Sequence, residues 1–289
     1  MKVAIAQLNP TIADFDGNRA KILSAYRDAC DRGVELVVFS ELCLCGYPPL
    51  DFLDRPGFLE KCKLHLERLA GAIGRVPAVV GCALPNPRPE GRQAVNAAAV
   101  LADGRVTATV FKSRLPTYDV FDEDRYFEPA PENGVVDVNG LRLGVTICED
   151  IWPGPDRRPR YHRDPVAQLA EQGPELAVNL SASPFEVGKS GLRYRLLADV
   201  ARRLKVPAVL VNQVGGNDQL LFDGRSIAVD AEGALVARAA AFSEDLLVVD
   251  FDASTNRIEP EPESEQADVC RALVMGIADY ARKCGLSRA

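Results

Sequence analysis

Histidine is scarce in this sequence: only His65 and His162 occur among its 289 residues, and both have charged neighbours. A Cys-His or Ser-His pair needs a histidine that takes the proton of the nucleophile. Zinc sites likewise combine histidine and cysteine at short spacings, and the sequence contains no Cys-x-x-Cys pair. We therefore expect neither histidine-dependent nucleophilic catalysis nor a metal site.

Long apolar runs are also missing, since no window approaches the roughly 20 apolar residues of a membrane-spanning helix. The N-terminal MKVAIAQLNP is too short for a signal peptide with its cleavage site. The eight cysteines stand in apolar surroundings, as reduced thiols do, at positions 30, 43, 45, 62, 82, 148, 270 and 284. These features predict a cytoplasmic protein that does not bind membranes.

Positive charge is in deficit, with 34 Lys and Arg against 41 Asp and Glu and a net charge of −7. Nucleic acids and anionic membranes reward clustered cations, so neither is expected as a partner. A small neutral or zwitterionic ligand fits this charge better. The 47% hydrophobic content is ample for a large core, and no repeat of fixed period divides the chain.

Apolar periodicity alternates between strand-like and helical segments, which predicts a layered α/β fold with a mixed sheet or two stacked sheets. Asp103-Gly104 is a strong hairpin signal between two of the strands. The predicted strands are 2–7, 34–39, 77–84, 96–101, 106–111, 141–148, 176–180, 207–212, 226–230, 235–239 and 246–250. The predicted helices are 18–31, 58–73, 165–172, 192–204 and 267–284.

The composition changes once along the chain, at 252–268, where EPEPESEQ offers no apolar face. This segment is typical of an exposed acidic linker. The sequence thus divides into a single α/β domain at 1–251, the linker at 252–268 and a terminal amphipathic helix within 269–289.

Three reactive side chains follow three apolar strands. Glu41 comes after VELVVFS, Lys112 after VTATVF and Cys148 at the end of LRLGVTI. In open α/β sheets, catalytic groups collect beyond the carboxyl ends of the strands. A thiol needs a base or a cation to attack at neutral pH, and Glu41 and Lys112 can supply both. The set is complete for amide cleavage without histidine.

The segments around these residues, FSELCLCGYPPLD, VFKSRLPTYDVFDEDRYFEP, GVTICEDIW and NLSASPFEVGKSGLR, resemble the nitrilase superfamily of carbon-nitrogen hydrolases. Within it they are most similar to the N-terminal glutaminase domains of glutamine-dependent NAD synthetases. The resemblance implies a four-layer α-β-β-α sandwich and a thioester intermediate on Cys148. Glu41 is then the general base and Lys112 the oxyanion partner.

The resemblance also implies roles for residues that periodicity does not single out. Glu123 matches a second glutamate that orients the lysine and joins the catalytic set. A glutamine substrate carries an ammonium and a carboxylate, which call for an anion and a cation in its pocket. The positions that match substrate contacts are Tyr118, Glu149, Trp152, Ser183 and Lys189.

The function expected from the resemblance is glutamine hydrolysis that supplies ammonia to an NAD synthetase, carried on an absent domain or on a separate chain. No cofactor is expected in this chain, and the superfamily implies a homo-oligomer. Two alternatives remain open at this point. One is a stand-alone amidase, carbamoylase or ω-amidase, and the other is an inactive scaffold domain.

Overall fold

Two six-stranded sheets form the centre of the fold. The structure is a computed structural model that describes residues 1–152, 161–253, 258 and 264–286. The strands are β1 (Lys2–Gln7), β2 (Leu36–Phe39), β3 (Ala78–Pro85), β4 (Ala94–Ala102), β5 (Arg105–Phe111), β6 (Val135–Val138), β7 (Leu141–Ile147), β8 (Leu176–Ser181), β9 (Ala208–Asn212), β10 (Val214–Asn217), β11 (Leu220–Asp223), β12 (Ile227–Val229), β13 (Leu235–Arg238) and β14 (Asp245–Asp250).

Helices flank the two sheets. They are α1 (Phe15–Asp31), α2 (Phe58–Ala70), α3 (Glu123–Tyr126), α4 (Pro165–Gln172), α5 (Lys189–Leu204) and α6 (Glu265–Lys283), with 3₁₀ turns at Leu50–Asp54 and Cys148–Ile151. The helix starts follow local capping chemistry. Asp14 and Asp164 accept backbone N–H groups at the starts of α1 and α4, and Pro165 occupies the first turn of α4.

The first sheet has the strand order β14-β1-β2-β3-β4-β5 and the second has the order β13-β12-β9-β8-β7-β6. In the first sheet β1, β2 and β3 are parallel, and in the second β7, β8 and β9 are parallel. The remaining pairs in these two sheets are antiparallel. The carboxyl ends of the parallel strands are where loops can bring reactive side chains together.

Side-chain alternation along the strands explains why the layers stack. Val3 and Ile5 of β1 join the core cluster that also contains Val145 and Val209 of the second sheet. Their neighbours in β1, such as Ala4, face the cluster shared with α1 and α2. In the second sheet, odd and even residues of β9 divide in the same way between the inter-sheet core and the layer of α4 and α5. The result is the expected α-β-β-α sandwich.

The predicted elements agree closely with the structure. The Asp103-Gly104 hairpin joins β4 and β5, with φ of +49° and +77° at its two central residues. The helix predicted at 192–204 begins three residues earlier, at Lys189. Cys148, predicted as the last residue of a strand, instead begins the turn that follows β7. Strands β6, β10 and β11 were not predicted.

Helix α6 begins inside the predicted acidic linker. Of that segment, 254–257 and 259–263 lie outside the described residues, and 265–268 are helical. Ser264 caps the helix, and Glu265 and Asp268 place negative charge in its first turn, where the helix dipole favours it. No helix in the described part of the chain is long and apolar enough to cross a membrane.

The two sides of α6 differ in character. Towards the sandwich it buries Asp268, Ala272 and Asp279, and the two carboxylates pair with Arg225 and Asn9. Away from the sandwich it carries an apolar stripe, made of Leu273 (59% exposed), Val274 (64%), Ile277 (73%) and Tyr280 (64%). The helix is therefore attached mainly by polar contacts and leaves its apolar side chains uncovered in the described residues.

Candidate active site

Glu41 and Lys112 reach each other across the edge of the first sheet. Glu41 follows β2 by two residues, and Lys112 follows β5 directly. Between them, Asn96 of β4 accepts the Lys112 backbone N–H at 2.9 Å and donates its side-chain amide to Glu41 Oε1 at 2.7 Å. Gly81 of β3 allows this approach, since a Cβ there would lie 2.3 Å from the Ser40 carbonyl oxygen.

The Glu41 carboxylate is held on both of its oxygens. Oε1 accepts from Asn96 and from Lys112 Nζ, each at 2.7 Å. Oε2 accepts the backbone N–H of Ala182 at 2.9 Å, from the segment after β8 in the second sheet. Glu41 is fully buried, so these bonds fix its orientation between the two sheets.

Lys112 lies between two carboxylates. Its ammonium donates to Glu41 Oε1 at 2.7 Å and to both oxygens of Glu123, at 2.9 and 2.7 Å. Tyr47 adds a hydroxyl donor to Glu123 Oε1 at 2.8 Å. The lysine is fully buried and Glu123 is nearly so. A buried cation shared by two buried anions leaves the three side chains with one surplus negative charge when all are ionised.

This arrangement raises the pKa values of Lys112 and Glu123 for different reasons. Burial by itself lowers the pKa of Lys112, but the charges of Glu123 and Glu41 outweigh it and raise that pKa well above its ordinary value. Burial raises the pKa of Glu123 to about 7, against the opposing attraction of Lys112 and with the repulsion of Glu41. Lys112 thus stays an ammonium at neutral pH.

We expect the shifted pKa of Glu123 to appear in the pH dependence of stability. The group ionises near 4.5 without its environment and near 7 in the folded protein, so the native state retains a proton that the unfolded chain releases. Its stabilising effect is complete below about pH 4.5 and is lost as the pH rises to about 7, by about 3 kcal/mol. The wild type should lose stability relative to Glu123→Gln over this range.

Urea unfolding of both proteins between about pH 4.5 and about pH 8 measures this difference. Asp124→Asn is a suitable control, because it removes a neighbouring acidic group whose side chain is 47% exposed. Its stability should run parallel to that of the wild type. Parallel curves for wild type and Glu123→Gln would contradict a proton-retaining Glu123.

Cys148 occupies a strained position at the end of β7. Its φ of +42° lies in the left-handed region, which costs a residue other than glycine roughly 1–2 kcal/mol. Burial, followed by the negative charge of Glu41, raises the pKa of its thiol far above the usual value, although Lys112 acts in the opposite direction. The resting group is therefore a neutral thiol, and a base must remove its proton during attack.

Asp150 holds the turn that carries Cys148. Its fully buried carboxylate accepts the backbone N–H of Ile147 at 2.9 Å and those of Ser113 and Arg114 at 3.0 and 2.9 Å. The Asp150 carboxylate therefore connects the backbone that follows Lys112 to the backbone that precedes Cys148. Arg114 completes the connection by donating to the backbone oxygens of Asp150 and Trp152 at 3.2 and 2.6 Å.

A cavity of about 380 Å³ opens above Cys148. All five side chains expected to contact substrate line it: Tyr118, Glu149, Trp152, Ser183 and Lys189. Five residues that the sequence interpretation did not select line it as well: Asp119, Phe121, Glu186, Leu192 and Leu196. The cavity is of the size that small-molecule sites commonly have.

The polar groups of this cavity fall into an acidic and a basic part. Glu149 accepts from Tyr118 Oη at 2.9 Å and from Tyr161 Oη at 3.1 Å, and burial raises its pKa. Lys189 lies 3.7 Å from Glu186 and 5.8 Å from the centre of the Trp152 ring. The buried Ser183 hydroxyl has no hydrogen-bond partner among the described residues. The cavity thus offers an anion, a cation and an unused hydroxyl.

The structure brings Glu41, Lys112 and Glu123 into direct contact and places Cys148 within reach of their charges. It adds four groups that sequence interpretation missed: Tyr47, Asn96, Asp150 and Tyr161. Tyr47 and Asp150 stand within the motifs CGYPP and CEDIW, so the motifs offered a signal for them. Within the described residues, no cluster of three or more His, Cys, Asp or Glu side chains could hold a metal ion.

Comparison with known proteins places this geometry in context. The carbon-nitrogen hydrolase family matches residues 2–258. Curated relatives are glutamine-dependent NAD(+) synthetases, among them those of Synechocystis sp. (40% identical over 298 residues) and Xylella fastidiosa (41% over 297). The alignments cover 99% and 100% of this chain but 53% and 52% of the relatives. The chain spans about half the length of the curated relatives it matches.

Solved structures also resemble this chain. The glutamine-dependent NAD+ synthetase from Acinetobacter baumannii, in complex with ADP, superposes with a TM-score of 0.85 at 35% identity. The match covers 97% of this chain and 52% of the other. An amidase from Nesterenkonia sp., 24% identical and covered over 90% of its length, has a TM-score of 0.71 and shares the fold.

Proposed function

The chain belongs to the carbon-nitrogen hydrolase family, and on this basis we propose that it hydrolyses the side-chain amide of glutamine through a thioester on Cys148. The contact that carries the proposal is the Lys112 ammonium held between Glu41 and Glu123, close enough for the charges to act on Cys148, which lines the cavity. The relatives named as glutamine-dependent synthetases support glutamine as the amide.

The first half of the reaction forms the thioester. Glu41 takes the proton of the Cys148 thiol as Sγ attacks the amide carbon, and the negative charge that develops on the amide oxygen is stabilised by Lys112. The carbon–nitrogen bond then breaks, and the nitrogen leaves as ammonia with the proton returned by Glu41. Because burial raises the pKa of the Cys148 thiol, Glu41 must take up its proton for the sulfur to attack.

The second half releases glutamate. Glu41 removes a proton from water, the resulting hydroxide attacks the thioester carbon, and the carbon–sulfur bond breaks. The sulfur recovers its proton from Glu41, and the site returns to its starting state. Glu123 touches neither sulfur nor amide in this scheme. It keeps Lys112 in place and balances its charge through two hydrogen bonds.

We propose that the charged walls of the cavity select glutamine over simple amides. Glu149 attracts the α-ammonium and Lys189 the α-carboxylate, while the Ser183 hydroxyl supplies a further hydrogen bond. Glu186 currently pairs with Lys189 at 3.7 Å, and a substrate carboxylate would take its place. Hydrogen bonds to charged groups are worth about 1.5–3 kcal/mol each, enough to decide between substrates.

Lys189→Met tests this selection. Loss of the ammonium should raise the KM for glutamine by roughly 10- to 100-fold, since one charged hydrogen bond disappears. Propionamide has neither α-group, so its KM should stay unchanged in the same variant. Ammonia release from both amides measures the effect.

Lys205→Met provides a matched variant, because Lys205 is exposed just beyond α5 and does not line the cavity. It should behave as wild type with both amides. Equal losses of Lys189→Met on glutamine and propionamide would contradict recognition of the carboxylate. Wild-type turnover of propionamide but not glutamine would instead indicate a stand-alone amidase.

The ammonia is proposed to serve an NAD synthetase, on a further domain or on a separate chain. Relatives of about twice this length carry that name, and the apolar stripe of α6 is a surface such a partner could cover. We also propose a cytoplasmic location and assembly into a homo-oligomer. All eight cysteines are free thiols, which agrees with a reducing compartment.

A further inference from the structure

Four buried charges of alternating sign connect α6 to the interior of the sandwich. Asp268 of α6 accepts two hydrogen bonds from Arg225, at 2.8 and 2.7 Å. Arg225 lies 3.5 Å from Asp223 Oδ2, the same oxygen that accepts from Arg193 at 2.5 Å. None of the four is more than 8% exposed. We refer to this series of residues as the charge chain: Asp268, Arg225, Asp223 and Arg193.

The inner end of the charge chain reaches the cavity of Cys148. Arg193 donates to the backbone oxygen of Ser183 at 3.4 Å. The Asn212 side chain makes two hydrogen bonds to the backbone of Ser183. Its oxygen accepts the Ser183 N–H at 2.8 Å, and its amide donates to the Ser183 carbonyl oxygen at 3.2 Å. Ser183 in turn lines the cavity, and its buried hydroxyl has no hydrogen-bond partner among the described residues. The backbone of a cavity residue is therefore held by Asn212 and by Arg193, and neither of them lines the cavity.

A second contact runs beside the first. The Arg225 guanidinium lies over the Phe242 ring at 5.4 Å, and Phe242 packs edge-on against Phe185, two residues after Ser183, at 5.4 Å. Arg225 itself has φ of +52°, a conformation that its surroundings must impose. Two independent contacts thus join Arg225 to the same short segment of the cavity wall.

Burial makes the four charges interdependent. Each loses its hydration, and only its oppositely charged neighbours offset that loss. Neutralising Asp268 removes its attraction for Arg225, which strengthens the relative pull of Asp223 on Arg225 and weakens the hold of Asp223 on Arg193. A change at the helix is therefore transmitted through discrete hydrogen bonds to the Ser183 backbone.

We propose that the charge chain is a positioning device through which the seating of α6 sets the substrate cavity at Ser183. Its residues touch neither substrate nor reacting atoms, and they act through Ser183. The effect on substrate rests on the proposed function, whereas the effect on the Ser183 backbone does not. A partner that covers or displaces α6 would in this way change the affinity for substrate.

Hydrogen exchange of the full chain tests the mechanical part without any substrate. Asp268→Asn preserves the shape of the side chain and removes its charge at the end farthest from the cavity. Protection of the backbone amides of Ala182, Ser183, Phe185 and Glu186 should fall by roughly tenfold in this variant. Ala272→Gly is the matched control, since Ala272 is buried on the same helix and has no polar side chain. It should lower protection within α6 alone.

A double-mutant cycle tests the effect on substrate. Asp268→Asn should raise the KM for glutamine by roughly tenfold and change kcat by less than about twofold, because only binding geometry is altered. In a Ser183→Ala background the same substitution should have little further effect, since the hydroxyl that it displaces is gone. If Asp268→Asn acted through a general loss of stability, its effect and that of Ser183→Ala would multiply in the double variant. In that case kcat would also fall.

The two experiments separate the possible failures. Unchanged exchange at 182–186 in Asp268→Asn overturns the charge chain whatever the substrate is. If exchange at 182–186 changes but the effects of Asp268→Asn and Ser183→Ala on KM multiply, the charge chain has no role in substrate binding. If the wild type does not hydrolyse glutamine, the proposed function fails by itself, and the exchange comparison still decides the proposal.

Discussion

Cys148→Ala is expected to lose amide hydrolysis by at least about 10⁴-fold, since the thioester intermediate cannot form without its sulfur. The fold should survive. The substitution removes one sulfur atom, a small change beside the ~2–5 kcal/mol of large core truncations. Ammonia release from glutamine and the urea midpoint of the same preparation measure the two quantities separately.

Cys82→Ala is a matched control, because Cys82 is also a fully buried thiol but faces the α1 and α2 layer. It should retain activity within about twofold while losing comparable stability. Mass spectrometry after iodoacetamide treatment adds a direct assignment in a Cys270→Ser, Cys284→Ser background, which removes the two exposed thiols. Parent-rate ammonia release by Cys148→Ala would refute the thioester mechanism.

Lys112→Met is expected to damage both catalysis and folding. Methionine keeps most of the volume but removes the cation, so activity should fall by at least about 100-fold, the usual effect of one lost oxyanion donor. Glu41 and Glu123 are then buried without their shared partner, and breaking such a pair costs about 3–5 kcal/mol. Steady-state kinetics and urea unfolding measure the two effects.

Adding Glu123→Gln to Lys112→Met separates the loss of activity from the loss of stability. The double variant buries one carboxylate fewer, so it should recover a large part of the lost stability. Activity should stay low, because the oxyanion donor is still missing. If the double variant were as unstable as Lys112→Met, the charge of Glu123 would not be the cause of the lost stability.

Part of the arrangement of the candidate site follows from local sequence, because Glu41, Lys112 and Cys148 each follow a strand with a clear apolar pattern. Glu41 and Lys112 follow strands of the first sheet and Cys148 follows a strand of the second, and the carboxyl ends of these strands lie on the same side of the sandwich. The roles that the resemblance added, for Tyr118, Glu149, Trp152, Ser183 and Lys189, concern residues that the structure places around one cavity. Their part in substrate binding stays a prediction until substrate is measured.

Contacts across large sequence separations were beyond sequence patterns. The carboxylate of Asp150 binds the backbone of Ser113, 37 residues away, and Arg225 meets Asp268 across 43. Charged residues in a sequence are usually solvated, so nothing local marks these as buried. Their burial follows only from how the two sheets and α6 come together.

The strands that were missed are short or carry no alternation. Val214–Asn217 contains two adjacent glycines, which have no side chains to show a pattern, and it pairs only with Leu220–Asp223. Val135–Val138 has four residues and lies at the edge of its sheet. Pairing with a neighbouring strand, and not side-chain preference, forms such elements.

The single buried cation of Lys112, shared by Glu41 and Glu123, also constrains how a lineage with this fold can change over generations. A descendant that loses Lys112 by mutation buries two carboxylates without their shared partner and must survive the instability that follows. Cys148 carries no charge at rest and can be replaced in one step with little effect on folding. A lineage released from selection for hydrolysis should therefore lose its nucleophile first and keep Lys112 as a relic of the reaction.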